Sequence, residues 1–237
     1  MYGNTNTNQI TLAQARQEAS TIFLAKVFNW MATGLSLTGI VAYFTASSGL
    51  ARAIVVSPLF MILIIAELGM VFYLSARISK IAATTASGLF IGYSVLNGLT
   101  LSTVFLAYTS SSIAGTFFIT AGMFGAMAVY GLVTKRDLSG LGSFLFMGLV
   151  GIIIASVVNI FLKSSGMNWI ISLLGVFIFT GLTAYDVQKI KNMGEEGIMS
   201  QGEEAIKKGS IMGALALYLD FINLFLMLLR FFGGSRD

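Results

Sequence analysis

The chain has 237 residues and contains neither cysteine nor histidine, and its only proline is Pro58. The first two absences exclude disulfides, thiolate chemistry, imidazole metal ligands and every catalytic triad that depends on histidine. A phosphate-cradling Gly-rich loop is also absent, so we expect any transport by this chain to be passive or ion-coupled. We expect a protein that is not an enzyme and holds no cofactor, whose working groups are carboxylates, hydroxyls, amides, lysine and arginine.

Charged residues are scarce as well. They make up 10% of the chain, against about 25% in an ordinary soluble domain. Hydrophobic residues make up 56%, and the mean hydropathy is +0.86. This composition predicts a membrane protein whose main partner is the lipid bilayer. The net charge of +4 does not indicate nucleic-acid binding, because the basic residues fall mostly between apolar runs, where they set topology.

Seven apolar stretches are long enough to cross a bilayer, which takes about 20 residues of helix. We therefore predict an all-α polytopic membrane protein with seven transmembrane helices in one domain at residues 26–233. A cytoplasmic segment (1–25) precedes it, a short tail (234–237) follows it, and residues 188–210 form a solvated helical hairpin. The stretches cover residues 27–46, 56–79, 82–108, 113–134, 140–162, 167–187 and 211–232.

The lysines and arginines are distributed unequally between the two sides of these segments. Ten fall on the side of the amino terminus and four on the other side. Because positive residues collect in the cytoplasm, we predict that the amino terminus is cytoplasmic and the carboxyl terminus lies outside.

Two aspartates lie in or beside the last two apolar segments. Asp186 ends the sixth segment and Asp220 lies inside the seventh, where a carboxylate costs at least a few kcal/mol and marks a candidate functional site. The intervening loop returns the chain to the same membrane side, so we expect both aspartates to meet in the cytoplasmic half. Two neighbouring carboxyl groups tend to share one proton, which makes a pH sensor. Their oxygens also suit a calcium ion.

The second and seventh segments each carry an acid and an arginine. Glu67 precedes Arg77, and Asp220 precedes Arg230, by ten residues, which is about 15 Å along a helix. Because the segments run in opposite directions, contact between them would pair Arg77 with Asp220 and Arg230 with Glu67. Further oxygen donors that could line a polar path are Asn97, Asn223 and Tyr218.

Two other functions remain open. The charges could serve only packing in a non-conducting membrane partner that modulates membrane proteases or other machinery. An intramembrane aspartyl protease would also place two aspartates on consecutive helices. Against the protease, Leu217, Tyr218 and Leu219 precede Asp220 where that class has Gly-x-Gly, and Pro58 lies far from any Pro-Ala-Leu position.

Four stretches carry a family resemblance. In this order, along seven apolar segments, they resemble the bacterial branch of the Bax inhibitor family of membrane proteins. The stretches are AELGMVFYLSARI (66–78), YSVLNGLTLS (93–102), FTGLTAYDVQKIK (179–191) and LALYLDFINLFLMLLRFFG (215–233).

The resemblance implies a fold in which the seventh helix is enclosed by the other six. It also implies a pH-sensitive calcium leak across the bacterial cytoplasmic membrane, with calcium ions and protons as ligands. Asp186 and Asp220 would form the sensor and the calcium ligands, and Arg77 would latch the closed state. Glu67 and Arg230 would form a supporting ion pair.

Overall fold

The computed structural model describes residues 4–234, which form helices and no β-strand. The elements are α1 (Asn4–Ser47), α2 (Leu50–Val56), α3 (Leu59–Arg77), α4 (Ala83–Leu101), α5 (Val104–Ala107), α6 (Ser110–Val133), α7 (Ser139–Leu162), α8 (Ser165–Glu195), a 3-10 helix (Ile198–Ser200) and α9 (Glu203–Phe232).

Seven helical stretches in this part of the chain are long and apolar enough to cross a membrane. They are α1 from Gln14 onward, α3, α4 continued through α5, α6, α7, α8 and α9. The prediction of an all-α protein with seven spans is confirmed. Helices α1, α8 and α9 extend further than predicted at the end of the bundle that holds the amino terminus. Polar turns there continue each helix beyond its apolar run.

Polar caps and special backbone positions set several helix ends. Ser164 Oγ accepts a hydrogen bond from the Met167 backbone N–H (3.3 Å) at the start of α8, and Thr109 Oγ1 caps α6 in the same way. Such caps satisfy N–H groups that have no partner inside the helix. Gly202 has a φ of 90° just before α9, a conformation that glycine adopts without the Cβ strain of other residues.

Helix α9 is the most buried of the seven long helices. It packs mainly against α8, α1, α6 and α4, whereas α3 packs on α4 and α7 packs on α8. The predicted central position of the seventh helix is confirmed. Its main neighbours are four helices rather than six, because α3 and α7 lie outside the layer that covers it.

The carboxyl end of α8 and the amino end of α9 are helical but only partly solvated. Ile190, Ile198 and Ile206 are buried there, and Ser20 Oγ of α1 donates to the Lys191 carbonyl at 2.9 Å. The hairpin predicted at residues 188–210 therefore packs one face against α1. Helix α1 continues without interruption through the predicted domain boundary after residue 25, which stays a prediction.

Two glycines hold α8 close to its neighbours beside Asp186. A Cβ on Gly131 of α6 would lie 2.4 Å from the Ala184 carbonyl oxygen, and a Cβ on Gly142 of α7 would lie 2.5 Å from the Tyr185 ring. Atoms at these distances would overlap, so only glycine permits such close packing. This contact fixes the part of α8 that presents Asp186 to α9.

Candidate functional site

Asp186 of α8 and Asp220 of α9 meet inside the bundle. Asp220 is 4% exposed and Asp186 is half-buried, and their carboxyl groups are close enough to share a hydrogen bond. A hydrogen bond between two carboxyl groups requires that one of them carries a proton. The structure brings together the two aspartates that the sequence singles out.

The Asp220 carboxyl group is not fully satisfied by protein donors. Its Oδ2 atom is buried and has no N–H or O–H donor among residues 4–234. An unpaired buried polar atom is costly, so this oxygen is suited to receive a proton or a cation. The other buried side-chain oxygen without a partner among the described residues is Thr180 Oγ1 of α8, whereas most buried polar side chains are hydrogen-bonded.

The cation that acts on Asp186 is Lys189, three residues later on α8. Its Nζ atom lies 5.9 Å from the centroid of the Tyr185 ring, and residues three apart share a helix face. Sequence reasoning missed Lys189 as a partner, although the spacing from Asp186 was visible. One lysine beside two acids leaves a negative charge when both acids are ionised.

Arg77 does not lie in the predicted contact with the aspartates. Its side chain is exposed at the last turn of α3 and makes no ion pair or hydrogen bond within the described region. The predicted pairing of Arg77 with Asp220 is therefore wrong for this structure. The physical reason is that α3 packs on α4 rather than along α9, so its arginine does not reach the aspartate pair.

Glu67 of α3 is held by α4 rather than by Arg230. The Asn97 Nδ2 atom donates to Glu67 Oε2 at 3.2 Å, and Thr100 Oγ1 donates to Glu67 Oε1 in a short hydrogen bond. The predicted Glu67–Arg230 ion pair is absent among the ion pairs of the described chain. Neutral donors on the adjacent helix make that pair unnecessary.

A buried polar network continues from Glu67 to the central helix. Asn97 Oδ1 accepts from Tyr218 OH at 3.2 Å, and Tyr218 OH lies 2.7 Å from Thr38 Oγ1 of α1. Tyr218 is fully buried. Asn97 and Tyr218 therefore join four helices through one network, whereas the sequence suggested them only as polar lining.

Asn223 of α9 has no hydrogen bond to the aspartate pair or to the Glu67 network among the described residues. Its Nδ2 atom donates to the Leu219 carbonyl of its own helix at 2.8 Å. Nearby, a Cβ on Gly175 of α8 would lie 2.8 Å from Met227, so the two helices approach closely there. Arg230, in the last turn of α9, is exposed.

Three residues of the Glu67 network, Tyr93, Thr100 and Thr38, were not predicted. Tyr93 and Thr100 lie on α4 at helical spacing from Asn97, which is a signal the sequence contained. Asn97 Nδ2 also lies 3.4 Å from Tyr93 OH. Thr38 carries no such signal, because one threonine on an apolar helix is indistinguishable from a packing residue.

The aspartate pair provides few ligands for a metal ion. No group of three or more histidine, cysteine, aspartate or glutamate side chains gathers among the described residues. A calcium ion takes six to eight oxygen ligands, so at this pair it would need backbone carbonyls, neutral oxygens and water besides Asp186 and Asp220. The arrangement fits weak or transient binding better than a resident ion.

Comparison with known proteins agrees with this architecture. The family model described as inhibitor of apoptosis-promoting Bax1 matches residues 21–237. The chain belongs to the Bax inhibitor family. This member is 54% identical over 216 residues to the inner membrane protein YbhL of Escherichia coli, covering 90% of this chain and 92% of that protein.

Two further relatives of this Bax inhibitor family member extend over nearly the same length. A protein of Borreliella burgdorferi is 50% identical over 233 residues, covering 96% of this chain and 99% of its own. A protein of Deinococcus radiodurans is 46% identical over 232 residues, covering 98% and 96%. The family assignment thus applies to almost the whole seven-helix bundle.

Proposed function

We propose that this Bax inhibitor family protein is a passive, pH-sensitive leak channel for calcium, with protonation of Asp186 and Asp220 as the control. The observation that carries the proposal is the contact of two carboxyl groups inside the bundle, where Asp220 Oδ2 has no donor among the residues that the structure describes. A proton shared by the pair neutralises it. Loss of that proton leaves two carboxylates whose oxygens attract a divalent cation.

The proposal treats calcium as the transported ion and not as a cofactor. Hard oxygen ligands favour calcium over softer metals, and few ligands favour release, which conduction also requires. The local charge is set by Asp186, Asp220 and Lys189. Arg77 stays a predicted latch, which would act in another arrangement of the bundle in which α3 moves toward α9.

We also propose that the chain lies in a bacterial cytoplasmic membrane, since the Escherichia coli relative is an inner membrane protein. The bias of lysine and arginine supports a cytoplasmic amino terminus and an external carboxyl terminus. The absence of native cysteine makes the test direct. Lys135→Cys should resist a membrane-impermeant maleimide in intact cells, and Arg52→Cys should react with it. The reverse labelling pattern would contradict this orientation.

The test of the leak uses purified protein in calcium-loaded liposomes between about pH 5 and about pH 8, where a shared proton titrates. Wild type should release calcium in a pH-dependent way, and Asp186→Asn should lose that dependence. Asp137→Asn is the matched control, because Asp137 is exposed in the connection between α6 and α7. Calcium release equal to that of calcium-loaded liposomes without protein at every pH would refute the leak.

The same carboxyl contact is compatible with aspartyl protease geometry, so we test that activity separately. We propose that the protein is not an enzyme, because the motifs that accompany protease aspartates are absent. Incubation with a transmembrane substrate peptide should give no product. Cleavage that disappears in both Asp186→Asn and Asp220→Asn would establish a protease.

The other alternative is a non-conducting membrane partner protein. Such a protein would show neither calcium flux in liposomes nor calcium binding.

A further inference from the structure

A polar cavity of about 480 Å³ lies where α8 begins and α9 ends, away from the acidic sites. Arg230 in the last turn of α9 lines one side, and Ser165 and Asn168 in the first turns of α8 line another. Tyr108, which precedes α6, completes the polar wall. None of the described side chains that line this cavity is acidic.

Arg230 supplies a positive charge to the cavity. Its side chain is exposed and has no ion pair or hydrogen bond with other residues that the structure describes. A guanidinium remains charged at any physiological pH and binds phosphate through two parallel N–H groups. The hydroxyl and amide groups of Tyr108 and Asn168 add neutral donors. The chemistry of this cavity therefore suits a phosphate group.

The aromatic residues around the cavity indicate that the phosphate group belongs to a phospholipid rather than to a soluble anion. Trp169 and Phe231 pack edge to face with their ring centroids 5.7 Å apart. Trp169 is 56% exposed and Phe232 is 63% exposed, as expected for rings at the level of the lipid headgroups. A soluble anion gains no favourable contact with these exposed rings, whereas a phospholipid can place its acyl chains along them.

We propose that this cavity binds the headgroup phosphate of an anionic phospholipid, with Arg230 as the principal contact. Basic pockets between membrane helices recognise lipid headgroups in this way. The site is independent of the aspartate pair, so it stands whether or not the protein conducts calcium. It also assigns a partner to an arginine that the sequence paired with Glu67.

The two tryptophans of the chain allow a direct test. Trp30→Phe leaves Trp169 as the only tryptophan, beside Arg230 in the full-length protein. In nanodiscs of phosphatidylcholine, a small fraction of phosphatidylglycerol brominated near the top of its chains should quench Trp169 more than equally brominated phosphatidylcholine. One cation near the surface contributes about 1 kcal/mol, so the preference should be about fivefold.

Arg230→Gln in the Trp30→Phe background should abolish this preference. Arg52→Gln is the matched control, because Arg52 is an exposed cation at the same end of the bundle but lines a different cavity, and it should retain the preference. Inorganic phosphate at constant ionic strength, in excess over the lipid, should not remove the preference if the ligand is a lipid.

Four results would overturn the proposal. Equal quenching by the two lipids would show that there is no selective site. Equal loss in Arg52→Gln would show general attraction to a basic surface. Competition by inorganic phosphate would assign the cavity to a soluble anion. An Arg230→Gln variant with lower thermal stability and an unchanged lipid preference would show that this arginine does not bind the lipid. Its role would then be to stabilise the carboxyl end of α9, where a positive charge is favourable.

Discussion

The two acidic sites of the bundle differ in what their carboxyl oxygens contact. Glu67 receives a hydrogen bond on each oxygen from neutral side chains of α4. Asp220 contacts a second acid, Asp186, and its Oδ2 has no donor among the described residues. Glu67 therefore has its acceptor requirement met by the protein. The aspartate pair requires a proton or a cation to complete its contacts.

The comparison shows that an acid inside a membrane segment is not by itself evidence for a sensor. Both sites have the residue type that marks candidate function in hydrocarbon. The arrangement of donors distinguishes a carboxyl group that supports packing from one that can change state at low cost. We expect variants at the two sites to separate pH response from stability.

The largest expected effect concerns the pH response of calcium flux in liposomes. Asp220→Asn removes the shared proton, so flux should become independent of pH between about pH 5 and about pH 8. Glu67→Gln should keep a pH-dependent profile, because its oxygens lie in a neutral network. If Glu67→Gln flattens the profile and Asp220→Asn does not, the two sites have the opposite roles.

The next effect concerns the glycine that holds α8 near Asp186. Gly131→Ala forces a Cβ against the Ala184 carbonyl, and overpacking of this kind should lower the free energy of unfolding by about 3 kcal/mol. The control is Gly92→Ala of α4, where the nearest atom is the flexible end of Met70 at 3.3 Å. Thermal unfolding in detergent measures both. Equal stability of the two variants would contradict the described helix contact.

A somewhat smaller loss of stability should follow from Asn97→Leu. This change removes a donor to Glu67 and an acceptor for Tyr218, which should lower the free energy of unfolding by about 2 kcal/mol. Asn223→Leu is the matched control, since Asn223 bonds only to its own helix. Denaturation curves for the two variants should differ clearly, and coincident curves would argue against a network that joins the helices.

The smallest expected effect is a shift of the pH profile in Lys189→Gln. The lysine favours ionised Asp186, so its removal favours the protonated pair and moves the midpoint of the flux profile to higher pH. The shift should be under about one pH unit, because Lys189 is exposed and solvent screens it. Flux titration measures the midpoint.

Arg77→Gln is the counterpart to that test. The structure leaves Arg77 away from the pair, so its removal should shift the midpoint less than Lys189→Gln does. A larger shift in Arg77→Gln would support the predicted latch and would mean that α3 approaches α9 in another state of the protein.

Much of the fold was predictable because hydrocarbon limits what a chain can do. Each spanning segment must satisfy its own backbone, so long apolar runs become helices. The meeting of Asp186 and Asp220 was predictable for a related reason, since consecutive helices joined at one end lie side by side. Lys189 was missed although its helical spacing from Asp186 was visible.

The pairing of charges between distant segments was not predictable in the same way. The equal spacing of Glu67 to Arg77 and of Asp220 to Arg230 suggested two ion pairs. Whether α3 touches α9 depends on which helix faces pack best, and spacing along each helix carries no information about that choice. In the structure α3 packs on α4, whose Asn97 and Thr100 side chains bind Glu67.

The sequence by itself determined the fold class, the number of spans and the two acids to examine, because the absence of water in a bilayer makes charge and segment length decisive. The tertiary structure decided which acid is satisfied and which is not. Asn97 and Thr100 surround Glu67, Asp186 faces Asp220, and Arg230 opens into a cavity. These contacts depend on packing between helices, where distances of an ångström determine whether a hydrogen bond forms.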